Sequence, residues 1–257
     1  MFLKLLSTII LILSSSAQAS SGYTWLHDIA HTYHVPDHVI TFSGICFLLI
    51  IGGFLYRSKL SKVSDLVIPD RGITFRNFTE AYGNFIMGQC KAIIGEKEGP
   101  KYFGFIATVF LLILISNLIG LIPGFLPPTE KLSTTLALGA FSFLYYNIKG
   151  MKELGVVNYM KHFAGPLWYM AFLIFPIEIL SNLIRPVSLA LRLQGNMSGD
   201  HTVLAVFSDL APLIVPIIFM VLGILVSFIQ AYVFSVLSMV YISLATAHHD
   251  HEEQGVH

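Results

Sequence analysis

An apolar stretch near the carboxyl end of the chain contains ionisable and amide side chains at helical spacing. They recur at intervals of four, three, seven and four residues: Glu178, Asn182, Arg185, Arg192 and Asn196. On an α-helix these intervals place all of them on one stripe. A charge at mid-membrane costs at least about 2.5–3.5 kcal/mol on insertion scales, so such groups should face protein or water and serve a function. The transfer of an ion or a proton is chemistry that these groups can perform.

Two more ionisable residues, Asp200 and His201, follow this stripe. His201 comes nine residues after Arg192, which places it on the opposite helix face and about 13 Å further along the axis. The spacing therefore predicts two polar surfaces with Arg192 between them. The next apolar segment, 211–246, has no Asp, Glu, Lys, Arg or His, and the most polar residue in its middle is Gln230. All the charge of this pair of segments lies on the first one.

The composition defines the solvent in which these residues must work. Of 257 residues, 55% are hydrophobic and 12% are charged, whereas a soluble domain has about 25% charged residues. The mean hydropathy is +0.73. The chain is therefore predicted to be an integral membrane protein, and no basic run indicates binding to nucleic acid.

We predict an all-α fold with five membrane helices. The segments long and apolar enough to span are 39–56, 103–125, 132–148, 168–208 and 211–246. As continuous helices the last two would measure about 60 and 54 Å, against a hydrocarbon core of about 30 Å. They must therefore tilt steeply, bend or break. Pro186 offers a kink and 209–212 a turn, which predicts a long, steeply tilted antiparallel hairpin.

The amino-terminal residues 1–19 have the pattern of a cleaved secretory signal peptide. They contain one lysine, a short apolar core and the sequence Ala-Gln-Ala at 17–19. The alternative is an additional anchor helix at the amino terminus. If the peptide is removed, residues 20–38 form a periplasmic segment.

Lysine and arginine residues predict the orientation of the spans. They accumulate between the first and second spans, at 57–101, and again after the third span, at 149–161. Residues 20–38 contain none, and the turn at 126–131 contains one. Because cationic residues collect on the cytoplasmic side, the amino terminus is predicted outside and the carboxyl terminus, with the tail 247–257, inside.

Two further patterns predict structure rather than chemistry. Aromatic and aliphatic residues at helical spacing in 74–93 favour a supporting helix at the membrane surface. His27, His31, His34 and His38 would align on one helix face and could bind a metal ion. We predict neither a metal site nor a cofactor.

The quoted residues resemble subunit a of the F-type ATP synthase, the membrane stator of the rotary proton motor. The resemblance rests on "RPVSLALRLQGNMSGDH" (185–201) and "FIQAYVFSVLSMVYISLA" (228–245), with "SNLIGLIPG" (116–124) and "STTLALGAF" (133–141) before them. It covers about 39–246, and the combination of motifs is specific. It implies a multi-pass protein of the bacterial inner membrane.

The resemblance also implies roles for individual residues. Arg192 falls on the essential arginine of the family and Gln230 on the glutamine that faces it from the last helix. Asn196 and His201 fall on polar positions of the outer half-channel, and we count Asp200, next to His201 in sequence, with the half-channel residues. On the inner side, Glu178 falls on a cytoplasmic-side glutamate of the family and Arg185 on a basic position.

For most of these residues a structural role without proton transfer is also open. Arg185 can be structural or tune the field, Glu178 can be its neighbour on the same helix face, and Asp200 can lie in an aqueous vestibule. Asn196 and Gln230 can join the two helices by a hydrogen bond.

The sequence departs from the family at two positions. Gln194 stands where phenylalanine is usual, and Gly223 stands where many relatives have His or Glu. The second departure leaves open what partners His201, with Asp200 or water as the candidates.

The implied partners are the c-ring of the rotor, the subunit b stalk, the rest of the F1Fo complex and membrane lipid. A fixed arginine can stabilise a rotor carboxylate as it loses its proton, and a histidine can take up and release protons near neutral pH. No nucleotide-binding G-x-x-x-x-G-K-[ST] run occurs, so ATP hydrolysis is not expected on this chain. A transporter acting alone would be expected to show internal repeats, which we do not find.

Overall fold

The computed structural model describes residues 34, 36–60, 74–122, 125–155, 159, 168–210 and 214–246. These residues form six α-helices, numbered here in chain order: α1 (Asp37–Leu60), α2 (Phe75–Ile94), α3 (Gly99–Ile119), α4 (Leu132–Leu154), α5 (Trp168–Leu210) and α6 (Ile214–Thr246). A short 3-10 turn, Pro128–Glu130, lies between α3 and α4. The described residues contain no strand, and the predicted all-α membrane fold is confirmed.

Some predictions fall on other parts of the chain. The signal peptide at 1–19, the tail at 247–257 and the histidines His27 and His31 lie outside the described residues. Their assignments stay predictions.

Within the described residues, four helical segments are long and apolar enough to cross a membrane: Asp37–Arg57, Gly99–Ile119, Ile174–Leu204 and Ile217–Thr246. α4 forms where the third span was predicted, but serine, threonine, tyrosine and asparagine make it less apolar than these segments. Several of its polar side chains are buried, including Thr135 and Ser142. The Ser142 Oγ lies 3.1 Å from the Oγ of Ser238 in α6, within hydrogen-bond distance. At about 1.5 Å per residue, α4 is still long enough to cross the bilayer core. The count of five spans stays a prediction.

α5 and α6 form the predicted antiparallel hairpin. Among the contacts between them, three recur eleven residues apart on both helices: Arg185 with Tyr241, Asn196 with Gln230, and Phe207 with Phe219. Eleven residues make about three turns, so the same two faces meet along the whole hairpin. Their tilt relative to a membrane stays a prediction.

α5 is unbroken across its 43 residues, although Pro176 and Pro186 lie within it. Tilting, bending and breaking were the three predicted ways in which so long a helix could fit a bilayer. For α5, the prediction of a break is therefore wrong. At Pro186 the helix meets α4 closely, because a Cβ on Gly139 would lie 2.7 Å from the Pro186 carbonyl oxygen. Only a residue without a side chain permits that approach.

The core lies where α3 packs against α6. Its fully buried side chains include Ile106, Phe110 and Ile113 of α3 and Phe234 and Ile242 of α6. Around this pair, α4 and α5 pack against α6, and α2 packs against both α3 and α6. The core fixes the inner face of α6 and so determines which of its residues can meet α5.

α2 is the helix predicted at 74–93, and it packs beneath α3 and α6. Its Ile86 and Cys90 are buried, and burial raises the pKa of the Cys90 thiol to about 11. The hydroxyl of Tyr232 in α6 donates a hydrogen bond to Gln89 Oε1 at 3.1 Å. α2 ends at Gly95, whose φ of 114° is readily adopted only by glycine. The position of α2 at a membrane surface stays a prediction.

Candidate functional site

Arg192 lies on the outward surface of the hairpin. Its side chain is exposed, and within the described part of the chain it has no hydrogen-bond or ion-pair partner. The exposed residues one turn to either side of it on the same face of α5 are small or polar: Ser188, Gly195 and Asn196. Arg192 also lies well inside the apolar segment Ile174–Leu204. An unpaired cation is thus exposed within an apolar segment, far from either of its ends.

Asn196, one turn after Arg192, holds the hairpin in register. Its Nδ2 donates a hydrogen bond to Gln230 Oε1 at 2.7 Å, and Gln230 is only 4% exposed. The resemblance implied that Gln230 faces Arg192. In the structure its hydrogen-bond partner is Asn196, as in the helix-joining alternative. The pair therefore braces the two helices beside the arginine.

His201 points away from Arg192, as the nine-residue spacing predicted. Its Nδ1 lies 3.6 Å from Glu130 Oε2, and both side chains are about three-quarters buried. Glu130 belongs to the 3-10 turn before α4, so sequence reasoning about the last two helices missed it. The turn at 126–131 contains this acidic residue beside Lys131, and that was the available signal.

A small pocket adjoins His201, and we call it the His201 pocket. Its lining comprises Leu121, Met197, Asp200, His201, Leu204, Phe219, Leu222 and Gly223. A Cβ on Gly223 would lie 2.6 Å from Leu121 Cδ2, so Leu121 occupies the space beside this glycine. Asp200 does line the same pocket as His201, as the sequence-based alternative required.

The two titratable side chains that meet at this end of the hairpin each have one buried atom without a hydrogen bond: Glu130 Oε2 and His201 Nε2. Buried polar atoms are nearly always paired with protein or with water. The region around Glu130 and His201 is therefore suited to hold water.

At the other end of α5, Asn182 belongs to a group that we call the tyrosine–asparagine network (Tyr146, Asn147, Tyr159 and Asn182). The Tyr146 hydroxyl donates to Asn182 Oδ1 at 2.7 Å, and Asn182 Nδ2 donates to Asn147 Oδ1 at 3.1 Å. The Tyr159 hydroxyl also donates to Asn147 Oδ1, at 2.7 Å. This network joins α4 to α5 through buried hydrogen bonds.

The remaining members of the stripe are less enclosed. Arg185 is half-buried, with its guanidinium 5.3 Å from the centre of the Tyr241 ring, a cation–π arrangement. Glu178 is exposed, and within the described residues it makes no ion pair with Arg185. The one sequence stripe is therefore divided: Asn182 faces the protein, whereas Glu178 and Arg192 face outward.

A metal centre is not formed by the described residues. Among them, no group of three or more His, Cys, Asp or Glu side chains is placed to hold an ion. His38, from the amino-terminal histidine series, instead has its Nε2 3.4 Å from Ser133 Oγ.

Comparison with known proteins agrees with this architecture. The family model for the ATP synthase A chain matches residues 39–243. ATP synthase subunit a of Bdellovibrio bacteriovorus is 45% identical over 231 residues, which cover 90% of this chain and 100% of that protein. The Trichlorobacter lovleyi subunit a is 43% identical, over 85% of this chain and 93% of its own length.

The Geobacter sulfurreducens subunit a is 51% identical over 175 residues, which are 67% of this chain and 76% of that protein. Both the match to the family model and the identities to these relatives extend over most of the chain. The chain therefore belongs to the family of ATP synthase subunit a, the proton-channel subunit in the membrane sector of the F1Fo complex.

Proposed function

We propose that this chain is the stator half of the proton motor and that Arg192 couples proton transfer to rotation of a c-ring. The observation that supports this most is the exposed, unpaired Arg192 in the middle of the apolar segment of α5. A charge in that position needs an anion from a partner, since isolation in hydrocarbon is costly. A carboxylate on the rotor is the partner of matching chemistry.

The arginine can release a proton from such a carboxylate. A positive charge within about 4–6 Å lowers the pKa of a carboxyl group by about 1–3. Arginine keeps its own charge when partly desolvated, whereas lysine can lose its proton. Each rotor carboxyl would thus ionise as it approaches Arg192 and take up a proton again after passing it.

The two ends of α5 supply separate proton paths in this proposal. At about 1.5 Å per residue, Arg192 lies about 13 Å from His201 and about 15 Å from Asn182 along the helix. His201, Asp200 and Asn196 belong to the outer half-channel, and Glu178 and Arg185 to the inner one. The fixed charge of Arg192 between them prevents a proton from crossing directly and dissipating the gradient.

The remaining assignments follow from the same proposal. The amino terminus is periplasmic after removal of the signal peptide, the carboxyl terminus is cytoplasmic, and subunit b binds alongside as the peripheral stalk. ATP is synthesised or hydrolysed on other subunits of the complex.

The test is Arg192→Ala in the assembled F1Fo complex, studied in inverted membrane vesicles. We expect ATP-driven proton pumping to be abolished while the complex still assembles, because the anion on the rotor loses its only fixed counter-charge. Passive proton leak is measured in the same vesicles, since loss of the barrier should raise it. Arg192→Lys is measured alongside and should pump far less than the wild type.

Arg57→Ala is the matched control, because Arg57 is also exposed but lies at the end of α1, away from the hairpin contacts. It should pump like the wild type. Normal pumping by an assembled Arg192→Ala complex would show that the arginine is structural and that the proposed mechanism is wrong.

A further inference from the structure

We infer that Glu130 is the proton-exchange partner of His201, so that the outer proton path runs through the connection between α3 and α4. This inference deepens the proposed function and depends on it. It starts from α6, which contains no Asp, Glu, Lys, Arg or His and has glycine at position 223 beside the His201 pocket. The last helix therefore offers His201 no titratable partner, and a partner must come from elsewhere.

Glu130 meets the geometric requirement. The 3.6 Å separation of Glu130 Oε2 and His201 Nδ1 is too long for a direct hydrogen bond, but small motions or one bridging water can close it. Both partners are largely buried, so the contact is shielded from bulk solvent. Of the two carboxylates near this histidine, Asp200 is its neighbour on α5, whereas Glu130 approaches from a separate element.

The chain positions Glu130 through its neighbours. Thr129, one residue earlier, is fully buried, and its hydroxyl donates a hydrogen bond to Asn117 Oδ1 at 2.7 Å. Asn117 is itself buried near the end of α3. This bond holds the 3-10 turn against α3, which directs the next residue, Glu130, toward α5.

The histidine ring is positioned by the same end of α3. A Cβ on Gly120 would lie 3.1 Å from His201 Nε2 and 2.8 Å from Pro127 Cβ. Glycine at position 120 therefore leaves room for the imidazole beside the turn. Asn117 and Gly120 are positioning residues, one for each member of the pair.

A proton can pass between the two groups without any further reactant. The protonated Glu130 carboxyl gives its proton to Nδ1 of a neutral imidazole, so an O–H bond breaks and an N–H bond forms. The imidazolium then releases its Nε2 proton to a neighbouring water, from which it passes on toward the rotor. Glu130 takes up another proton from the outer water, and the imidazole regains its first tautomer by exchange with water. His201 Nε2 and Glu130 Oε2 are both among the buried side-chain atoms that have no hydrogen bond in the described residues, as such a relay requires.

The rival explanation is structural: the pair would merely fasten the turn to α5. The two roles make opposite demands on the side chain. Fastening requires the size and hydrogen-bonding reach of glutamate, which glutamine preserves. Proton exchange requires a carboxyl group, which aspartate preserves and glutamine lacks.

The experiment compares Glu130→Gln with Glu130→Asp in assembled F1Fo complexes in membrane vesicles, measuring ATP synthesis and ATP-driven proton pumping. For Glu130→Gln we expect both rates to fall at least about 10-fold, since positioned proton-transfer groups contribute on the order of 10²- to 10⁴-fold. Glu130→Asp should retain most of the rate. Glu98→Gln is the control: Glu98 is a carboxylate at the opposite end of α3 that pairs with Lys101, and its replacement should change nothing.

Three outcomes would overturn the inference. They are a Glu130→Gln complex that works like the wild type, Gln and Asp complexes that are equally impaired, or failure of every Glu130 variant to assemble. If only Glu130→Gln fails to assemble, the exchange Glu130→His with His201→Glu decides: pumping by the assembled double variant supports a relay, and its absence contradicts one. Arg192→Ala is measured in parallel and tests the proposed function by itself. If Arg192→Ala abolishes pumping but Glu130→Gln does not, the proposed function stands and only the inference about Glu130 is wrong.

Discussion

The two ends of the α5–α6 hairpin treat buried polar groups in opposite ways. In the tyrosine–asparagine network, Asn182 and Asn147 use both their carboxamide oxygens and their nitrogens in hydrogen bonds within the chain. Around the His201 pocket, Glu130 Oε2 and His201 Nε2 have no hydrogen bond. At the first end these amide groups are all hydrogen-bonded within the chain, whereas at the second end buried polar atoms are left without a partner and can bind water.

This difference indicates different functions for the two ends of the hairpin. A buried network in which every group is paired stabilises and orders the packing of helices, but it has no free site for a mobile proton. Unpaired buried groups beside a pocket accept water and can exchange protons. Under the proposed function, the inner proton path therefore passes the exposed Glu178 and the half-buried Arg185 rather than crossing the network around Asn182.

The largest expected effect comes from breaking the helix contact that supports the network. Gly139→Ala would place a Cβ 2.7 Å from the backbone oxygen of Pro186. Because that oxygen belongs to a helix and cannot swing aside, we expect a loss of about 3 kcal/mol, the upper end for an overpacked site. The measurement is the temperature at which the complex in membranes loses pumping.

Gly104→Ala provides the comparison for this variant. It makes the same substitution in α3, where a Cβ would meet nothing within 4 Å. If Gly139→Ala lowers the stability of the complex no more than Gly104→Ala does, α4 and α5 can move apart without harm and the prediction is wrong.

A smaller effect is expected from Asn182→Ala, which removes one member of the network. The Tyr146 hydroxyl then loses its acceptor while it stays buried. An unsatisfied buried group costs about 1–3 kcal/mol. Thermal inactivation should come earlier, whereas pumping per assembled complex at low temperature should change little.

The exposed Asn84 of α2 supplies the matched Asn84→Ala control, which should be stable. If Asn182→Ala instead abolishes pumping without altering stability, the network takes part in proton transfer and the contrast between the two ends is wrong.

The smallest effect is expected in the His201 pocket itself. Gly223→Ala would place a Cβ 2.6 Å from Leu121 Cδ2, the far end of a flexible side chain. Leu121 can rotate away, so we expect a stability loss of about 1 kcal/mol, the lower end for an overpacked site. Pumping should fall less than in Glu130→Gln, because the pocket narrows but both titratable groups remain.

Adding Leu121→Ala to Gly223→Ala should restore pumping, since it removes the obstructing side chain. A Gly223→Ala complex less stable than Gly139→Ala would reverse the predicted ranking of the two sites. Both sets are compared by thermal inactivation and by initial pumping rates.

The sequence by itself determined the helices and the residues of interest. Apolar length predicted the membrane helices, and helical spacing placed Arg192 and His201 on opposite faces, which the contacts of α5 confirm. These are local properties of a helix with 3.6 residues per turn, so the order of residues is sufficient to derive them.

Only the tertiary structure decided which distant groups meet. Glu130 precedes His201 by many residues and lies in a turn without helical periodicity, so no spacing rule connects them. The same holds for Asn182. It lies on the same sequence stripe as the exposed Arg192, but Tyr146 of α4 packs over it and donates a hydrogen bond to it. Burial and pairing depend on which helix packs over each part of a stripe, and that is fixed by the close approach of α4 at Gly139 and by the turn anchored at Asn117.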